Sequence, residues 1–184
     1  MLIVVIPAKG GSSRLPNKNM APLNDRPMLD YTVDDAKASR RADAIYVSTD
    51  SDDIAAHAAK LGVEVIRRPE SLGGDVPIVD VYRHALAAIG RADITTVIGL
   101  QPDHPDRRVS VDEALEMFEK EAADRLFSEE AGGAKNGAHY IMTRHFLDTD
   151  ESRKDITIVD DCTNVHYADD LKAAEEYLRN AAND

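Results

Sequence analysis

The chain has 184 residues, 43% of them apolar, and carries 34 acidic against 22 basic side chains, a formal net charge of −12. That length suits one domain, residues 1–184, with a sizeable core. The acidity argues against general binding to nucleic acid or to an anionic membrane, since both need a broad cationic surface.

Aromatic residues are only 5% and tryptophan is absent, so an aliphatic core is expected. No run approaches the length of a membrane span, and "MLIVVIPAKG" has neither a cationic leader nor a cleavage site. The single cysteine, Cys162, excludes an intramolecular disulfide and fits a reducing cytoplasm, the expected compartment. Asp160 and Asp161 beside it would suppress rather than activate the thiol.

In chain order, "LIVVIPA" reads as a buried strand. "PMLDYTVDDAKASR" is a helix, with Met28, Leu29, Thr32, Val33 and Ala36 on one stripe and a proline suited to its first turn. "AIYVSTD" is a second strand, and "SDDIAAHAAKLG" a helix capped by Ser51 and stopped by Gly62. "VEVIRRP" is a strand, "VPIVDVYRHALAAIG" a helix and "ITTVIGLQPD" a strand. "SVDEALEMFEKEAA" is a helix with a capping box from Ser110 to Glu113. "SEEAGGAKNGAH" reads as a loose segment, "AHYIMTRHFL" and "DITIVDD" as strands. "ADDLKAAEEYLRNAA" is a closing helix striped by Leu171, Ala174, Glu175 and Leu178. Strand–helix units with nearly continuous apolar strands predict the α/β class: a mostly parallel sheet with helices on both faces, in three layers α/β/α.

Ligands of such sheets sit at the carboxyl ends of the strands, and three of those ends are polar: "PAKGGSSRLPNKN", "STDSDD" and "LQPDHPDR". In the first, Gly10 and Gly11 let backbone amides turn toward a phosphate. Ser12 and Ser13 add hydroxyl donors, and Lys9, Arg14 and Lys18 supply countercharge. The plain alternative is a solvated Gly/Ser/Pro/Asn turn. Neither G-x-x-x-x-G-K-[ST] nor G-x-G-x-x-G is present, which excludes the two commonest phosphate loops.

"IPAKGGSSRLPNKN" resembles the signature of the nucleotidyltransferases that activate acidic sugars as CMP conjugates, the CMP-sialic acid synthetases and the 3-deoxy-manno-octulosonate cytidylyltransferases. The likeness continues through "VSTDSDDIAAHAAKLGVEVIRRPESLGGDVPIVDVYRHAL", "GLQPDHPDR", "NGAHYIMTRHFL" and "NVHYADDLKAAE". It implies a Rossmann-like fold of the nucleotide-diphospho-sugar transferase type and transfer of CMP from CTP with release of pyrophosphate. Lys18 would stabilise the transition state, with Lys9 and Arg14 on the triphosphate. Ala8, Gly10, Gly11, Ser12, Ser13, Asn17 and Gln101 would bind nucleotide, and Arg67 or Arg68 together with Asp75 would shape its pocket.

The resemblance also implies Mg²⁺, with Asp103 at a metal-aspartate position. Asn164 and His166 stand where the family has D-V-D and are the further metal candidates, though neither is anionic. Magnesium would be held either by Asp103 and substrate phosphates alone or with Asp160 and Asp161 reaching in. His104 and His166 are further candidates for holding the acceptor or moving its proton, with a structural role as the plain reading. The acceptor-side segment, about residues 122–160, is shorter than the family's and predicts a small acidic acceptor, a phosphonate or a sugar acid. A sialic or ulosonic acid synthetase proper, an enzyme using another nucleotide and a degenerate binding module remain as alternatives. Relatives dimerise, so the resemblance carries a homodimer, with a reduced arm.

Overall fold

The computed structural model describes residues 1–12, 14–74 and 76–181. The chain runs β1 (Leu2–Pro7), β2 (Pro22–Leu23), β3 (Arg26–Pro27), α1 (Met28–Ala38), β4 (Ala44–Thr49), α2 (Asp52–Lys60), β5 (Glu64–Arg67) and α3 (Ile78–Ile89). It continues with β6 (Thr96–Gly99), α4 (Val111–Lys120), β7 (Arg125–Glu129), β8 (Lys135–Thr143), α5 (Arg144–Thr149), β9 (Asp155–Val159) and α6 (Ala168–Ala181). Two short 3-10 turns, Lys18–Met20 and Glu70–Leu72, sit in the loops after β1 and β5.

The apolar run of β1 makes it the centre of the sheet. Ile3 and Val5 enter the core on one face, Val4 and Ile6 that on the other, and all four are fully buried. A strand buried on both faces needs neighbours on both edges, and β4 and β6 flank it in parallel register. The seven-stranded order is β5-β4-β1-β6-β8-β7-β9. Only β8 runs against the rest: it is antiparallel to β6 and β7, while β7 pairs in parallel with β9.

Side chains from α1, α2 and α4 (Leu29, Val33, Ile54, Leu115, Phe118) close one core, and those from α3 and α5 (Tyr82, Leu86, Phe146) close the other. The expected three-layer α/β/α fold with a mostly parallel sheet is therefore present. Local signals operate as read: Ser51 accepts the amide of Ile54, and Ser110 with Glu113 forms a reciprocal capping box. In α6, Leu171, Ala174 and Leu178 pack on Leu23, Met28 and Val165, a small third core beside the β2–β3 hairpin. No helix among the described residues is long and apolar enough to cross a membrane.

Two local expectations need correction. "SEEAGGAKNGAH" is not loose: it closes the β7–β8 hairpin, with Glu130 N–H donating to the Ala134 carbonyl at 2.8 Å. The strand beginning "AHYIM" ends at Thr143, whose side chain caps α5 by accepting the Phe146 amide. The cause lies in polar residues placed inside the sheet. Asn136 Oδ1 accepts from Ser128 Oγ (2.5 Å) and from the Ala138 amide (3.1 Å), while its Nδ2 donates to the Asp160 carbonyl (2.7 Å). These bonds let strands with little apolar content remain buried.

Candidate functional site

The sheet order reverses at β1: α1 and α2 carry the chain outward to β5, and α3 returns it to β6. Such a reversal opens a crevice at the carboxyl ends of the strands. A cleft of about 360 Å³ lies there. Lys9, Ser12, Arg14 and Lys18 line it from the first loop, Arg68 from just past β5, Gln101 and Asp103 from past β6, and His166 from ahead of α6. None of its described lining comes from residues 122–160.

The other candidates lie elsewhere. Ala8 is buried, its amide donating to the Ser48 carbonyl at 2.9 Å. Gly11 is at the surface, and Asn17 is exposed with a left-handed backbone (φ 53°) that starts the 3-10 turn. Arg67 donates to the Ser51 carbonyl at 2.9 Å and pairs with Asp52, away from the cleft lining. Asn164 is outside the lining. Ser13 and Asp75 lie outside the described residues.

Three side chains not singled out in the sequence hold these loops in place. Asn19, nearly buried, donates from Nδ2 to the Lys9 carbonyl at 2.8 Å and so ties both ends of the first loop together. Asp50, just past β4, accepts the Gly10 amide at 2.7 Å, so that amide is spent on protein instead of facing the cleft. Its other oxygen packs on Gly73, where a Cβ would stand 2.6 Å away and would displace the Asp50 carboxylate. The loop after β6 is clamped by Arg107, which is almost fully buried. Its guanidinium donates to the carbonyls of Gln101, His104 (2.5 Å) and Ala138 (2.9 Å) and to Thr32 Oγ1 (2.9 Å). The fixed fork of arginine donors suits this job.

Charge within the cleft is unevenly matched. Arg68 has a side chain only 3% exposed, Nε and Nη2 lack hydrogen-bond partners, and the nearest Asp50 oxygen is 3.8 Å from Nη2. Burial lowers its pKa against the opposing pull of Asp50. A buried cation with open donors is costly unless an anion or acceptor completes it. Lys18 Nζ lies 2.8 Å from Asp103 Oδ2 and 2.9 Å from the Val165 carbonyl oxygen. His104 Nδ1 is 3.2 Å from Asp103 Oδ1, too poorly aligned for a hydrogen bond. Burial pushes the Asp103 carboxyl up, but His104 and Lys18 outweigh it and hold the group well below the usual carboxylate range. Burial, aided by the charges of Lys18 and Arg14, lowers the pKa of His166 and keeps it a neutral imidazole near pH 7.

Asp103 is the only carboxylate in the described lining, and no three His, Cys, Asp or Glu among the described residues are grouped to hold a metal. Asp160 does not reach in. It is buried, accepts from the Arg108 and Val109 amides, and faces His139 Nε2 at 3.2 Å; Asp161 is exposed. Asn164 Oδ1 is buried without a partner. The one carboxylate of the described lining fits a hard cation whose remaining ligands are phosphate oxygens and water.

A family model described as "Cytidylyltransferase" matches residues 3–182. The chain is similar to the 8-amino-3,8-dideoxy-manno-octulosonate cytidylyltransferase of Shewanella frigidimarina (strain NCIMB 400), 34% identical over 119 residues, 64% of this chain and 47% of that protein. The match thus spans about half the length of such curated relatives. The solved structure of CMP:2-keto-3-deoxy-manno-octonic acid synthetase complexed with CTP has a TM-score of 0.78 at 15% identity, covering 98% of this chain and 99% of that one. A Mycobacterium tuberculosis H37Rv protein in complex with manganese has a TM-score of 0.65 at 18% identity, covering 95% and 98%. At these identities the two structures carry the fold.

Proposed function

The chain belongs to the cytidylyltransferase family, a family of enzymes, and from that premise we propose that it transfers CMP from CTP to a small acidic acceptor and releases pyrophosphate. The observation that carries this reading is the cleft itself. Lys9, Arg14, Lys18 and the buried, incompletely bonded Arg68 converge on one crevice of an otherwise acidic chain. Such a set suits a polyanion joined to a group that can fill the open donors of Arg68.

An anionic oxygen of the acceptor attacks the α-phosphorus. The bond to the bridging oxygen breaks, and pyrophosphate leaves with the electron pair. Lys18, held against Asp103 at 2.8 Å, is assigned to the charge that builds on the phosphoryl oxygens. Asp103 would hold a divalent cation with the phosphates, and that ion supplies neutralisation of the departing charge. A structural neighbour was solved with manganese, which supports a divalent requirement without choosing magnesium.

The acceptor assigned is a phosphonate or a compact sugar acid. Residues 122–160 fold into the main sheet as β7, β8, α5 and β9 and leave the described cleft lining to other segments. An already anionic nucleophile also reduces the need for a base, in keeping with the neutral His166. Incubation with CTP, Mg²⁺ or Mn²⁺ and a panel of phosphonates and sugar acids, followed by pyrophosphate release, tests the proposal. Release with a small phosphonate supports it; release only with eight- or nine-carbon acids moves the acceptor to the relatives' class.

That the described lining holds a single carboxylate favours a second reading, a nucleotide-binding module without chemistry. It predicts CTP binding with no pyrophosphate release for any acceptor.

A further inference from the structure

The proposed chemistry needs Lys18 on a phosphate and Asp103 on a cation, yet the two side chains hold each other. Lys18 Nζ is 2.8 Å from Asp103 Oδ2 and donates to the Val165 carbonyl at 2.9 Å; both side chains are 15% exposed. The remaining carboxylate oxygen, Oδ1, is buried, lacks a hydrogen bond and faces His104 Nδ1 at 3.2 Å. The ammonium therefore stands at the carboxylate oxygen that a cation would use. Lys9, Arg14 and Arg68 line the same cleft, Arg68 with an Asp50 oxygen 3.8 Å from Nη2.

We infer that Lys18 and Asp103 form a latch: it keeps the nucleotide-free protein from taking up a divalent cation, and the triphosphate opens it by drawing the ammonium onto phosphate oxygens. This rests on the proposed nucleotide reading. With Lys18 in place, Asp103 is neutralised, so a free cation meets an ammonium at Oδ2 instead of an open ligand. A triphosphate reverses that balance, gives Lys18 stronger acceptors and exposes Oδ2 in the same step. Cation and nucleotide then bind with positive coupling, which is reciprocal by linkage.

Opening the latch does not require unfolding the segment that carries His166. The Lys18 bond to Val165 is lost, but Val165 N–H still donates to the Asp103 carbonyl (2.8 Å). Thr163 remains bonded to Asp106 through its amide (2.9 Å) and hydroxyl (2.8 Å). An ordinary structural ion pair would behave differently: it would stay closed when nucleotide arrives, and its loss would not improve metal binding.

The test uses the full chain with Mn²⁺ as probe, its free signal read by electron paramagnetic resonance. Without nucleotide, Lys18→Met should bind Mn²⁺ at least about tenfold more tightly than wild type, within the usual range of such couplings. Lys18→Arg should stay close to wild type, and Asp103→Asn should bind weakly throughout. Equal affinity of wild type and Lys18→Met overturns the latch. An arm free of variants covers the case in which Lys18→Met fails to fold: calorimetry of CTP with wild type should give at least about tenfold tighter binding with Mn²⁺ than without. Equal affinities there also overturn it. Absence of CTP binding under both conditions sinks the nucleotide reading instead, while the nucleotide-free Mn²⁺ comparison still decides whether the latch is closed.

Discussion

The two halves of the sheet treat buried polar groups in opposite ways. Beyond β6, in β8 and β7 and just past β9, Ser128, Asn136, His139 and Asp160 satisfy one another and the neighbouring backbone, with His139 Nδ1 the one side-chain atom of this set left over. At the ends of β5 and β6, Arg68 Nε and Nη2 and Asp103 Oδ1 are buried and unsatisfied. Closed networks hold a fold together, whereas open donors and acceptors cost stability and are retained where a ligand completes them. The contrast separates scaffold from site within a single sheet, and both halves can be challenged.

The largest effect should come from Lys18→Ala. Steady-state kinetics should give a turnover about 10²–10³-fold lower, the usual cost of removing one charge-stabilising donor, with a smaller change in CTP affinity. Unchanged turnover would move the transition-state role to another residue. Arg68→Met comes next. Calorimetric CTP affinity should fall about 10- to 100-fold, as for a lost charged hydrogen bond, while the melting temperature holds or rises because an incompletely paired buried cation is gone. A lower melting temperature with intact CTP binding would make Arg68 part of the scaffold.

Asn136→Ala probes the closed half. It removes the side-chain partner of the Ala138 amide and of the Asp160 carbonyl and should cost roughly 1–3 kcal/mol. At about 2–4 °C per kcal/mol for a chain of this size, thermal unfolding should shift by several degrees. Turnover of the folded fraction should be unchanged; a reversed pattern would erase the distinction between the halves.

The smallest effect concerns pH. Burial lowers the His139 pKa against the pull of Asp160. Between the unfolded value near 6.5 and the lower folded one, the unfolded chain binds a proton that the native chain does not, so stability falls as pH drops through that window. Melting temperatures at pH 7.5 and 5.5 should differ less in His139→Gln than in wild type, whereas equal differences would mean that His139 does not contribute.

Much of the scaffold was legible because its periodicities are strong. The apolar runs of β1, β4 and β6, the stripe from Met28 to Ala36 and the caps at Ser51 and Ser110 each follow from side-chain chemistry alone. The β7–β8 hairpin was not, since its buried positions include Ser128, Asn136 and His139, whose burial depends on partners distant in sequence. The same limit applies to the cleft. Its cations and Asp103 stand in recognisable strand-end loops, but Asn19 acts by bonding the backbone at the far end of its own loop and Asp50 by bonding that of another loop. The choice between Arg67 and Arg68 rests on which way each side chain leaves the end of β5: Arg67 toward Asp52, Arg68 into the cleft.

A crystal structure with CTP and Mn²⁺ bound tests the central claim most directly. The account predicts the nucleotide in the cleft, its triphosphate against Lys9, Arg14 and Lys18, Lys18 withdrawn from Asp103, and Arg68 Nε and Nη2 bonded to the ligand. Nucleotide seated elsewhere, or Arg68 still without a partner beside it, would contradict that claim.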